Sequence, residues 1–424
     1  MDYHVSPVGG LEGCVNAPAS KSYTIRSVVA GLLSDGKTVV HHPLYSADTD
    51  ACIRACGLLG ASIDTGVERL EITGTGGSVR GPNEVLDLMN SGTSIRLLTA
   101  VSSLCNTVVK LTGDESIRKR PIQPLLDALS QLGVRVESNF GCPPVSVEGP
   151  LEGGFCSIRG DVSSQFISAI LMASPYAVDD TTIDVTTMLK SRPYVDLTLE
   201  ILRVFGVSVD NVGYSRFIVR SGQSYSPTSY TVEGDYSSAA FILSAAALCD
   251  SDVTVRNVFR DSLQADKRIV GILAEMGADV DVGSDYVRVR GSGGLDGVTV
   301  DLGDSPDLVP IVSVLGCLAD GETNIVNAGH ARLKECDRIS AMASELRRMG
   351  ALVEEREDGL ALRKSSLVGC SVDGWRDHRV VMSLAVAGFN ASGETRISGS
   401  EFVGITFPNF RELMAELGGV IHEV

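Results

Sequence analysis

The sequence predicts an α/β protein built from six copies of one fold unit, three copies to each of two domains. Three observations carry that prediction. The first is a recurring helix end, at Leu59-Gly60, Leu132-Gly133, Phe205-Gly206, Met276-Gly277, Met349-Gly350 and Leu417-Gly418, whose glycines lie 73, 73, 71, 73 and 68 residues apart. Glycine is expected just past a helix, where a left-handed residue closes the last turn. The second is a series of polar helix starts near Ser20, Ser91, Ser163, Ser237, Asp307 and Asp377, spaced 71, 72, 74, 70 and 70 residues apart, each running into apolar sequence. The third is the short alternating strand after the first five glycines, as in Ala61-Ser62-Ile63-Asp64. Two interleaved periods of this kind are the signature of an internal repeat.

Taken in order, each unit of about 72 residues pairs one buried helix with one amphipathic helix, joined by strands. The buried helix from Ser20 leads to the strand candidate Thr38–His41, and the helix from Ser91 leads to Val108–Leu111. Those from Ser163 and Ser237 lead to Thr182–Val185 and Val253–Val255. The fifth unit carries strand candidates Val298–Leu302 and Thr323–Ile325, on either side of the helix from Asp307. Apolar faces on helices of both kinds must bury against one another, with sheets outside. The Gly/Ser/Pro/Tyr-rich stretch Ser221–Thr231 is the foremost linker candidate, and Pro18-Ala19 a second.

An apolar content of 44% with 21% charged residues describes a globular chain with a large core. The longest apolar runs, such as Ala239–Cys249, suit buried helices rather than membrane spans. Met1–Gly13 is mixed and Gly-rich, unlike a secretory leader. The ten cysteines are scattered, and Cys52 and Cys56 read as core residues of one helix. That usage suits a reducing cytoplasm. A formal charge of −17 argues against nucleic acid and anionic membranes as partners. Any anionic substrate therefore requires the cations to be gathered locally.

They gather at the helix starts. The first start holds Lys21, Ser22 and Arg26, and the second Asn90, Gly92, Thr93 and Arg96. The third holds Ser163, Ser164 and Gln165, and the fourth Asp235, Ser237 and Ser238. The fifth holds Asp304, Ser305 and Asp307, and the sixth Asp377, His378 and Arg379. Ile117–Pro121 and Arg332–Arg338 add further basic residues, of which Arg118 and Lys119 read as a solvated turn. Free amides and the positive dipole end make a helix start suited to anions. Carboxylates beside such cations supply acid–base groups. Arg96, on an otherwise buried helix, reads equally as a tie between helices.

These motifs resemble the 5-enolpyruvylshikimate-3-phosphate synthase family, the 3-phosphoshikimate 1-carboxyvinyltransferases, over nearly the whole chain. They are Lys21-Ser22 with Arg26, Asn90-Ser91-Gly92-Thr93 with Arg96, Arg120-Pro121-Ile122, Ser163-Ser164-Gln165, Ser191 with Pro193-Tyr194, Pro306-Asp307, Lys334-Glu335 with Asp337-Arg338, and Asp377-His378-Arg379. The resemblance implies a two-domain enolpyruvyl-transferase-like fold of βαβαββ-type units around buried parallel helices. One domain is expected to be discontinuous, residues 1–18 plus 232–424, with residues 19–231 inserted. The implied reaction moves the enolpyruvyl group of phosphoenolpyruvate to the 5-hydroxyl of shikimate 3-phosphate, releasing phosphate, on the shikimate pathway to chorismate and the aromatic amino acids. It implies neither metal nor organic cofactor, and a monomer.

By the same resemblance Lys21 and Glu335 are the proton-transfer pair and Asp307 faces the reacting hydroxyl. Shikimate 3-phosphate would be held by Lys21, Ser22, Arg26, Ser163, Ser164, Gln165, Ser191, Tyr194, Asp307, His330 and Lys334. Phosphoenolpyruvate would be held by Lys21, Asn90, Gly92, Arg120, Gln165, Arg338, His378 and Arg379. Two positions depart from the family pattern. Ile405 stands before Thr406-Phe407-Pro408 where the family has a lysine, and His330 stands where it has an asparagine. Losing a cation weakens anion binding by about 1 kcal/mol or more, with Arg376 the substitute suggested by proximity in sequence. A weakly active or non-catalytic phosphoshikimate-binding relative is one alternative. A UDP-N-acetylglucosamine enolpyruvyl transferase is another, although Gly113–Pro121 lacks the reactive cysteine expected of it.

Overall fold

Each of the six recurring glycines ends a helix in the left-handed region, from Gly206 at φ +83° to Gly60 at φ +114°. The computed structural model describes residues 1–292 and 294–424, and twelve α-helices among the described residues alternate in kind. They are α1 (Lys21–Leu33), α2 (Ala47–Leu58), α3 (Gly92–Ser102), α4 (Gln123–Gln131), α5 (Ser164–Ala173), α6 (Arg192–Val204), α7 (Tyr236–Leu248), α8 (Arg268–Glu275), α9 (Val309–Leu318), α10 (Arg338–Arg348), α11 (His378–Phe389) and α12 (Phe410–Glu416). The odd-numbered helices are buried almost throughout, and every residue of α7 is buried. The even-numbered helices bury one face and end at the glycines above.

The strands form six four-stranded sheets of one topology. In the third, Gly154–Ile158 runs parallel to Thr181–Val185, which pairs antiparallel with Arg216–Val219, itself antiparallel to Val209–Val212. This is the βαβαββ unit, because α5 and α6 connect successive strands. Three sheets are completed from elsewhere in the chain. Ser229–Thr231 runs parallel to Lys37–His41, and Gly10–Asn16 parallel to Asp250–Arg256. Asp2–Ser6 lies between Thr395–Ser398 and Val420–Glu423, antiparallel to both.

The chain divides into two compact units, Ala19–Glu233 and Met1–Pro18 with Gly234–Val424, each around its own apolar core. Ser221–Thr231 is not a linker, contrary to its composition. Tyr225 is fully buried with its hydroxyl donated to the Met172 carbonyl, and Ser229–Thr231 is a sheet strand. Cys52 and Cys56 are core residues of α2, and all ten cysteines are free thiols. Among the described residues, no helix is long and apolar enough to cross a membrane.

Two helix starts differ from the sequence expectation. α7 is capped by Asp235, whose carboxylate accepts the Ser238 N–H at 3.0 Å, rather than beginning at Ser237. Asp307 lies in a short 3₁₀ turn, Pro306–Leu308, that feeds α9. Pro306 and Pro310 account for the second, since proline favours the first turn of a helix and lacks the N–H needed later.

Candidate active site

In the Ala19–Glu233 unit, Lys21 opens α1 and its ammonium lies 3.0 Å from the buried Asp48 carboxylate. Asp48 is fixed because Ser46 and Thr49 form a reciprocal capping box at the start of α2. Arg26, one turn into α1, is buried and donates to Thr198 Oγ1 at 2.8 Å, to the Ser22 carbonyl at 3.1 Å and to the Tyr194 carbonyl at 3.2 Å. Burial lowers its pKa to about 10, so it remains charged at neutral pH. These bonds tie α1 to α6. Ser191 precedes α6 in a left-handed conformation (φ +55°), and its carbonyl accepts the Tyr194 N–H.

The start of α3 is built around Gly92. A Cβ there would lie 2.6 Å from Arg120 Nη1 and 3.3 Å from Arg96 Nη1, so only glycine admits two guanidinium groups at the helix start. Asn90 accepts from Arg120 Nη2 at 3.4 Å and donates to Asp114 at 2.8 Å, which in turn receives the Ile117 N–H. Arg120 is buried whereas Arg118 and Lys119 face solvent. Arg96 also donates to Gln165 Oε1 at 2.5 Å, and Gln165 Nε2 donates to Thr93, linking α3 to α5. Ser163 caps α5 by accepting the Gln165 N–H, and Ser164 is buried beside it.

In the other unit, three carboxylates surround one guanidinium. Arg338 is 1% exposed and donates through Nη1 to Asp307 (2.6 Å), through Nη2 to Glu335 (2.6 Å) and through Nε to Asp377 (2.7 Å). Burial opposes its charge, but Asp377, Glu335 and Asp307 outweigh burial and hold its pKa well above the ordinary value. Asp307 also faces Arg379 Nη2 at 3.2 Å and Lys334 Nζ at 3.6 Å. Asp377 caps α11 by accepting the Arg379 N–H at 2.8 Å, with the buried His378 between them in sequence. His330 lies in the short 3₁₀ helix Gly329–Leu333 that leads to Lys334. Ile405 is buried at the end of the 3₁₀ turn Ser400–Ile405, and the exposed Arg376 stacks on Phe402 of that turn, 5.7 Å from ring centroid to guanidinium carbon.

The structure thus brings Asp307, Lys334, Glu335, Arg338 and Arg379 into one cluster, and Asn90, Gly92, Arg96, Arg120 and Gln165 into another. Two carboxylates escaped the sequence reading. Asp48 partners Lys21 but stands 27 residues away on another helix. Asp266 is buried, accepts the Ser237 hydroxyl at 2.5 Å and is pushed up to about 7, chiefly by burial and then by Asp307, with Arg379 opposing. Its other oxygen, Oδ1, has no hydrogen-bond partner among the described residues.

The family model described as EPSP synthase (3-phosphoshikimate 1-carboxyvinyltransferase) matches residues 5–414. A 3-phosphoshikimate 1-carboxyvinyltransferase of Methanocaldococcus jannaschii is 46% identical over 416 residues, covering 97% of both chains. One of Methanococcus aeolicus is 44% identical over 421 residues, again covering 97% of both. The EPSP synthase structure of Acinetobacter baumannii superposes with a TM-score of 0.85 at 29% identity, covering 99% of each chain. Sequence match, relatives and fold agree over nearly the full length: the chain belongs to the EPSP synthase family.

Proposed function

We propose that the protein transfers the enolpyruvyl group of phosphoenolpyruvate to the 5-hydroxyl of shikimate 3-phosphate. The hydroxyl adds to the enol carbon, losing its proton while the methylene gains one. The tetrahedral adduct then expels phosphate and gives up a methyl proton, restoring the double bond. The observation that carries this reading is the carboxylate set on Arg338, because the reaction needs acid–base groups held beside anion-binding cations. Asp307, Glu335 and Asp377 share that guanidinium, with Arg379 and Lys334 near Asp307.

A carboxylate ligand would compete for these cations. In this proposal phosphoenolpyruvate binds Arg338 and Arg379, with His378 alongside, and taking Arg338 Nη2 releases Glu335 to move a proton with Lys21. The guanidinium pair at Gly92, with Asn90 and Lys21, takes the phosphate of phosphoenolpyruvate, and Gln165 bridges toward the second substrate. Shikimate 3-phosphate meets Ser163, Ser164, Ser191 and Lys334 through its phosphate, Ser22 and Arg26 through its carboxylate, and Gln165, Tyr194 and His330 through its ring. Asp307 orients the attacking hydroxyl. We propose that the two units are its functional domains and that the reaction proceeds in the cytoplasm.

The test is phosphate release from purified protein given phosphoenolpyruvate and either shikimate 3-phosphate or UDP-N-acetylglucosamine. Release with shikimate 3-phosphate alone is expected. Absence of release, or release with the nucleotide sugar, refutes the reading.

A further inference from the structure

The turn that feeds α11 is built in a conformation its residues disfavour. Asp377 N–H donates to the Gly374 carbonyl at 2.9 Å, closing a four-residue turn whose two central residues are both left-handed, Trp375 at φ +52° and Arg376 at φ +54°. Such turns favour Asn, Asp and Gly, because a left-handed backbone crowds Cβ against the next carbonyl. A conformation of this kind persists only where the surroundings over-determine it.

One helix supplies the contacts that anchor both flanks of the turn, beside the stacking of Arg376 on Phe402. Glu345 of α10 is 1% exposed. Its Oε1 accepts the Trp375 indole N–H at 2.9 Å and its Oε2 accepts the Asp373 amide at 3.1 Å, with Arg348 Nη1 3.4 Å from Oε2. Two turns earlier on the same face of α10, Arg338 grips Asp377. The helix therefore holds the turn at both ends. Gly374 completes the fit, since a Cβ there would lie 2.3 Å from the Ser398 carbonyl oxygen and 2.4 Å from Val381 Cγ2.

We infer that Glu345 is a positioning residue: by pinning the Trp375 indole and the Asp373 amide it maintains the left-handed turn, and so sets Asp377, His378 and Arg379 at the start of α11. Its kinetic consequence rests on the function proposed above, in which that helix start holds phosphoenolpyruvate. Glu345 touches no reacting atom in this account.

The experiment compares wild type with Glu345→Gln and Trp375→Phe. Glutamine keeps the shape but offers one acceptor where two donors converge, and phenylalanine removes the indole N–H together with one ring of the indole while leaving Glu345 intact. For Glu345→Gln, KM for phosphoenolpyruvate should rise about five-fold, the effect of losing one ordinary hydrogen bond's net contribution. KM for shikimate 3-phosphate and kcat should hold within about two-fold, being set by groups the turn does not carry. Trp375→Phe should show the same split at smaller amplitude. Combining the two should cost less than their product, because both remove one shared bond.

Trp375 is the sole tryptophan of the chain, so its fluorescence reports the turn without reference to catalysis. Glu345→Gln should shift the emission to the red and lower its anisotropy. If emission is unchanged, or if both variants lower kcat in proportion to folded fraction with both KM values intact, the inference is wrong. If Glu345→Gln does not fold, Trp375→Phe decides the kinetic question alone. A wild type that releases no phosphate would refute the proposed function, leaving the emission measurement to judge the turn.

Discussion

Asp266 shows how far a single carboxyl group can be displaced by its neighbours. An unfolded aspartate titrates near pH ~4, whereas burial, then Asp307, raise Asp266 to about 7, with Asp235 adding and Arg379 opposing. Between these values the folded chain keeps a proton that the unfolded chain has released. Its contribution therefore falls as pH rises through that window, by about 1.4 kcal/mol per pH unit for this group alone. Asp266→Asn should flatten the decline of urea midpoints between pH 5 and 7 and make the variant the more stable protein at pH 8. An unaltered slope would contradict the assignment. Gly92→Ala tests the paired guanidinium groups: its Cβ would displace Arg120 Nη1, so KM for phosphoenolpyruvate should rise about ten-fold or more, with little change in unfolding midpoint. Gly92 and Arg120 were legible in the sequence because each stands in a local motif. Asp48 and Asp266 were not, since their roles arise only when α2 meets α1 and when the 3₁₀ turn Ala265–Lys267 meets Asp307 and Arg379.

At the scale of the helix, the recurring glycine is a backbone requirement more than a spatial one. Gly277 has φ +91°, and a Cβ there would meet only Asp296 Oδ2 at 3.9 Å. Gly277→Ala should therefore cost about 1 kcal/mol, the price of a left-handed alanine, measured by urea denaturation. Gly133→Ala should cost more, because its Cβ would also lie 2.5 Å from Glu152 Cγ. Equal losses at both sites would show that the neighbour yields freely. The same logic explains what could be read in advance. Helix ends announced themselves through glycine, and all six occur where the pattern puts them. Helix starts were less exact, because Ser, Asp and Pro each satisfy the first turn in a different way. Asp235 rather than Ser237 caps α7, and Pro306 inserts a 3₁₀ turn before α9.

On the scale of the whole molecule, the six-fold repeat was legible because period is a property of sequence. The closure of its sheets was not, because strand partners can be hundreds of residues apart. Asp2–Ser6 supplies a central strand to the sheet that also holds Thr395–Ser398 and Val420–Glu423. Removing residues 1–6 strips Val420–Glu423 of its ladder and leaves Thr395–Ser398 paired only with Ser371–Asp373, and buried unpaired backbone is costly. Limited proteolysis of that truncation should degrade the unit containing residues 234–424 while fragments of 19–233 survive. Equal resistance in both units would argue against the strand's importance.

That interior strand also orders events during translation. Asp2–Ser6 leaves the ribosome long before Thr395–Ser398 and Val420–Glu423, the strands it must join, have been made. The stretch from Ala19 to Glu233 can collapse onto its own core meanwhile. Until those two strands follow, Asp2–Ser6 waits unpaired, exposed to chaperones and proteases.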